Sequence, residues 1–119
     1  MNGGVMESCI FCKIATGEIG GDIVFEDDAV LAFNDVNPKA PTHIVIIPKE
    51  HIATLNDLDE SHAALMGRLF LAAKQIAQEQ GFAGAGYRTV VNCNRQAGQS
   101  VFHIHLHVLA GRLMGWPPG

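Results

Sequence analysis

Long apolar runs are missing from this chain, and no stretch approaches the roughly 20 consecutive apolar residues a membrane-spanning helix needs. The opening "MNGGVMESC" holds no basic region followed by a hydrophobic one, so an unexported, cytoplasmic protein without membrane contact is expected. Positive charge is also scarce: 8 Lys and Arg against 12 Asp and Glu give a net charge of −4. Binding a nucleic-acid polymer needs a basic face to displace condensed counterions, so no such partner is expected, although a single mononucleotide is not excluded. Cysteine is sparse and odd in number, 3 in all, which rules out a secreted disulfide framework. Two of them form Cys9-Ile10-Phe11-Cys12. That spacing in a reducing compartment suggests metal or redox chemistry, and the plain alternative is two thiols packed as small hydrophobes. Cys93 stands alone and reads as an apolar filler.

With 119 residues and 48% apolar content the chain has enough for one modest core, so a single domain over 1–119 is expected. Residues 1–8 read as a loose start and 112–119, "RLMGWPPG" from Arg112, as a tail that two prolines keep from ending in a helix. Between them, Ile10, Phe11, Ile14 and Ile19 mark a short helix ending near Gly17. "DIVFED" and "AVLAFND" read as two strands of a hairpin, and "HIVIIPK" as a β-branched strand stopping at Pro48. From Asp57 to Gln80 the apolar residues recur at three and four, Asp57 and Glu60 have capping-box spacing, and Gly81 ends the helix. "GYRTVVNCN" and "SVFHIHLHVLAG" read as strands joined by the turn "RQAGQ". One long helix, a short N-terminal one and about five strands on short connections give an α+β fold, an antiparallel meander covered on one face by the helix.

The last strand carries His103, His105 and His107 at alternate positions. Side chains of a strand alternate between faces, which sends Phe102, Ile104, Leu106 and Val108 to a core and the three histidines to the opposite surface. A solvated face would not need three imidazoles that repel one another when protonated. A three-histidine metal site is weakened by geometry, because at about 3.3 Å per residue the outer two Cα atoms lie ~13 Å apart. A metal could take one or two of them at most, and a third reading is nucleophilic catalysis, in which one ring attacks while the next orients it and stabilises charge.

"HIHLHVL" follows the pattern His-φ-His-φ-His-φ-φ, with φ apolar, and so resembles the histidine-triad superfamily. "FEDDAVLAFND", "APTHIVIIPKEHI", "GYRTVVNCN", "GQSVFHIHLHVLAGR" and the terminal "WPPG" are similar to its Hint branch of purine nucleoside phosphoramidases, from Ile10 nearly to the end. The resemblance implies a HIT-like fold and a hydrolase acting on purine nucleoside 5'-phosphoramidates or acyl-adenylates. His105 would be the nucleophile, forming a nucleotidyl-histidine that water hydrolyses to release a nucleoside monophosphate. His103, His107 and His43 would support it, and Ser100 would bond the phosphate or the leaving nitrogen. Asn92 and the amide at Gly98 would bind phosphate oxygens, and Asp35 the ribose hydroxyls. Phe11, Ile19, Phe33, Val36 and Val45 would wall the purine. Bacterial relatives with a Cys-x-x-Cys place a structural zinc on positions matching Cys9, Cys12, His51 and His103, while neither a catalytic metal nor an organic cofactor is implied. A homodimer is implied as well, formed through the long helices and the "GYRTVVN" strands, with Trp116 in a tail that reaches the partner's site. Two other functions stay open: a nucleotide-binding regulatory module with incidental turnover, and a zinc-dependent hydrolase. His62, on the long helix, reads as a surface residue.

Overall fold

In a computed structural model, which describes residues 8–119, five strands form one antiparallel sheet in the order β1-β2-β3-β5-β4. A short helix, α1 (Ile10–Ala15), precedes β1 (Ile23–Glu26), β2 (Val30–Asn34) and β3 (Thr42–Pro48). After two 3₁₀ turns come the long helix α2 (Ala63–Gln80), β4 (Tyr87–Val90), the short α3 (Asn94–Ala97) and β5 (Leu106–Ala110). The meander holds through three strands, then β5 enters between β3 and β4 and leaves β4 at the edge. The expected looseness of residues 1–8 lies, apart from Ser8, outside the described residues.

Alternation along the central strands builds two apolar layers. Val30, Ala32, Ile44, Ile46, Leu106 and Val108 meet Leu69, Ala72, Ala73 and Ile76 of α2, while Leu31, Phe33, Val45 and Ile47 face the other way onto Phe11, Ile14 and Ala15. Covering both faces requires unbroken apolar runs, which explains "VLAF" and "IVII". Each fully buried Ile or Leu contributes about 2 kcal/mol. The second layer matters most for chemistry, because it adjoins the histidines on the face away from α2.

Three expectations need correction. The long helix starts at Ala63, not at Asp57, because Asp57 turns back to cap Thr54 in the first 3₁₀ turn, with its Oδ2 2.9 Å from Thr54 Oγ1, and Leu58 is extended. His62 is not a surface residue: its Nδ1 accepts from Asp59 N–H at 3.0 Å and its side chain is only 14% exposed. The last strand begins at Leu106, since residues 98–105 follow no ladder, and Phe102 is 49% exposed instead of joining the core. Gly81 ends α2 as expected, in the left-handed conformation at φ 83° that glycine adopts without a Cβ penalty.

Candidate active site

The register of β3 on β5 sets Val45 opposite His107 and His43 opposite Leu109, so His43 and His107 are diagonal neighbours on one face. Their rings meet, His43 Nε2 to His107 Nδ1, at 2.9 Å. Behind them, Lys39 N–H donates to His43 Nδ1 at 3.0 Å. A backbone N–H can only donate, so His43 Nδ1 is the lone-pair nitrogen and Nε2 carries the proton. His43 therefore donates to His107 Nδ1, and the remaining His107 nitrogen, Nε2, is left as an N–H donor. Asp35 Oδ2 lies 3.4 Å from the same His43 Nε2, while its Oδ1 accepts from Asn37 N–H at 2.8 Å in an Asx turn.

His105 is buried, and its Nδ1–H donates to the His103 carbonyl at 2.8 Å. That carbonyl fixes the tautomer and leaves the Nε2 lone pair as the reactive atom. The edge of Phe11 packs on the ring at 5.1 Å between centroids. Burial pushes His105 below its ordinary range, and burial, followed by the neighbouring His105 and His43, pushes His107 down to about 4. At neutral pH both rings are uncharged.

His105 and His107 open into a cavity of about 350 Å³ lined also by Phe11, Ile19, Phe33, Asp35, Val45 and Ser100, with Val36 at the solvent rim. A second cavity, about 440 Å³, lies beside it; Ser100 lines both. Asn92 and Gly98 line neither. Asn92 borders a separate cleft with Arg88, Gln96 and the tail, and the Gly98 amide is spent on the Arg95 carbonyl at 3.0 Å, where Gly98 caps α3 at φ 86°. Trp116 is 82% exposed, with Arg88 5.9 Å from its ring.

His103 does not share the cavity. Its Nε2–H donates to the Pro48 carbonyl at 2.8 Å, which leaves Nδ1 as a lone pair. That nitrogen lies 3.3 Å from Cys9 Sγ, 3.5 Å from Cys12 Sγ and 3.2 Å from His51 Nδ1, with Cys12 Sγ 3.4 Å from His51 Nδ1. Tetrahedral bonds of 2.0–2.3 Å imply ligand-to-ligand edges of about 3.3–3.8 Å, so this set has the dimensions and the soft donors of a zinc site. The four side chains could hold one metal ion. Cys12 N–H donates to Cys9 Sγ at 3.3 Å, and the Pro48 carbonyl is the outer partner that orients a ligating histidine.

A stability prediction follows from His107. The unfolded ring protonates near 6.5, while the folded one resists down to about 4. Below 6.5 the unfolded chain binds more protons, so the stabilisation is complete above 6.5 and is lost as pH falls towards 4. Tm followed by circular dichroism should be level above about pH 7 and decline below it; a level profile down to pH 4.5 would contradict the buried neutral pair.

The resemblance implied a backbone carbonyl on the same strand as the partner of His105, and the structure shows it to be that of His103; sequence reasoning did not single out the Pro48 carbonyl, the Lys39 amide or Gln99. Backbone groups carry no signature in a sequence, and only the position of Gln99 beside Ser100 offered a signal.

A family model described as scavenger mRNA decapping enzyme C-term binding matches residues 8–115. The purine nucleoside phosphoramidase of Escherichia coli (strain K12) is 50% identical over 109 residues, 92% of this chain and 92% of that protein. An uncharacterized HIT-like protein of Synechococcus elongatus is 51% identical over 113 residues, 95% of this chain and 98% of that one. The crystal structure of a HIT family hydrolase from Legionella pneumophila Philadelphia 1 superposes with a TM-score of 0.92 at 54% identity, covering 94% of this chain and all of that one (100%).

Proposed function

The chain belongs to the histidine-triad (HIT) family, in its Hint branch, and from that premise we propose that it hydrolyses purine nucleoside 5'-phosphoramidates or acyl-adenylates. The observation that carries this reading is His105 itself, neutral, buried and held by the His103 carbonyl so that Nε2 keeps its lone pair beside the cavity. The purine lies among Phe11, Ile19, Phe33, Val36 and Val45, and Asp35 takes the ribose hydroxyls through its free lone pairs.

His105 Nε2 attacks the α-phosphorus and forms a P–N bond as the bond to the leaving group breaks. The electron pair of the broken bond goes to the leaving nitrogen, which Ser100 protonates from its place between the two cavities. His107 Nε2–H donates to the phosphoryl oxygen, a stabilisation that needs no metal and that the Lys39–His43–His107 chain orients in advance. Water then displaces the imidazole and releases the nucleoside monophosphate.

A zinc on Cys9, Cys12, His51 and His103 would be structural, fastening α1 to the segment before β5; as a Lewis acid it would supply tetrahedral cross-linking only. The zinc-hydrolase alternative is disfavoured because His103 turns to the cysteines while His105 and His107 face the cavity. A homodimer completes the reading, with the outer edge of β4 and the exposed Phe70 and Leu71 of α2 as its surfaces, and light scattering that gives a single-chain mass would contradict it.

The direct test is incubation with an adenosine phosphoramidate bearing a primary amine. AMP and free amine in equal amounts are expected, and a nucleotide that binds but is never cleaved would instead support the regulatory-module reading.

A further inference from the structure

Gln99 is a buried polar side chain, 7% exposed, that neither the triad nor the metal centre uses. It stands next to Ser100 in the stretch 98–105, which follows no strand ladder, so sheet hydrogen bonds do not hold the serine in place. The Gln99 amide does so instead. Its Oε1 accepts from Asn94 N–H at 2.8 Å, and its Nε2 donates to the Ala53 carbonyl at 2.8 Å and the Val101 carbonyl at 3.0 Å. These partners also fix which end of the amide is which, since Asn94 N–H only donates and the two carbonyls only accept. Backbone on both sides of Ser100 is thereby tied to the segment after β3, and Ile104 N–H adds a bond to the Ile52 carbonyl at 2.6 Å.

We propose that Gln99 is a positioning residue for the leaving-group step: it holds the Ser100 hydroxyl at the distance from His105 that protonation of the departing nitrogen requires. The inference rests on the phosphoramidase reading of Ser100. In that step the His105 Nε2–P bond forms and the P–N bond breaks. Its electron pair goes to nitrogen, which takes the Ser100 hydroxyl proton, and the serine regains a proton from water. A carboxylate leaving group departs as a stable anion and needs no such proton, so the two substrate types respond differently to a displaced serine.

The experiment compares kcat for an adenosine phosphoramidate with an alkylamine leaving group and for an acyl-adenylate, in wild type, Gln99→Met, Ser100→Ala and the double variant. Methionine keeps the buried volume and removes the three hydrogen bonds. Loss of folded protein lowers both rates together and cancels in their ratio. The phosphoramidate-to-acyl-adenylate ratio is expected to fall about 30-fold in Gln99→Met, since a displacement near 1 Å costs up to about 100-fold. Ser100→Ala should lower it at least as far, and the double variant no further than Ser100→Ala alone. An unchanged ratio in Gln99→Met, or losses that multiply in the double variant, overturns the positioning role while leaving the proposed activity intact. An unchanged ratio in Ser100→Ala, or a wild type that cleaves neither substrate, overturns the reading beneath it and the inference as well.

Discussion

Replacing His105 by alanine is expected to lower the release of AMP from an adenosine phosphoramidate by a factor on the order of 10⁴ to 10⁶, the scale on which loss of a covalent nucleophile acts. Nucleotide affinity should change far less, because Phe11, Phe33, Val45 and Asp35 remain to bind base and ribose. The wild type, quenched in acid during turnover, should carry one nucleotidyl group on the peptide containing His105, and the variant none. Substitution of His103 makes an informative contrast. His105 depends on the His103 carbonyl and not on its ring, so His103→Ala retains the bond that orients the nucleophile and removes a metal donor instead. It should lose stability before it loses chemistry. Turnover by His105→Ala within about tenfold of wild type would eliminate the covalent mechanism.

Removing the metal is expected to have the second large effect. Protein purified without chelators should contain about one zinc per chain, and prolonged treatment with a strong chelator should lower Tm by roughly 15 °C, corresponding to a few kcal/mol in a domain of this size. Cys12→Ser should reproduce the shift without chelator, because Cys12 is fully buried between His51 and His103 and a hydroxyl is a poor substitute for a thiolate. Well below the lowered Tm, AMP release should persist. Stripped protein that unfolds at its original temperature but no longer turns over would make the metal catalytic and overturn the division of labour drawn between His103 and His105.

The fold was legible where local periodicity matches local structure. Unbroken apolar runs in β2 and β3 correspond to strands buried on both faces, and the three-and-four recurrence from Leu65 to Ile76 corresponds to the buried stripe of α2. Boundaries failed where side chains competed with the backbone. Asp57 bonds back to Thr54 and Asp59 pairs with His62, so two 3₁₀ turns replace the first turns of the expected helix. Alternation also failed at Phe102, because the chain leaves the ladder before Leu106, and two-residue periodicity holds only where a partner strand enforces it.

By itself the sequence determined that the chain has a strand-and-helix pattern with one polar histidine row, a Cys-x-x-Cys set apart from it, and the spacing that resembles one family. Alternation alone left the three histidines of the row equivalent, and the resemblance assigned His105 the nucleophile's part and His103 a metal ligand's. Only the tertiary structure shows what each ring touches. An imidazole has two nitrogens whose roles are set by what each one touches, and here those contacts come from far along the chain: Cys9 for His103, 94 residues away, and His43 for His107, 64 residues away. For His105 the deciding group is a backbone carbonyl two residues back, which every sequence possesses and none displays.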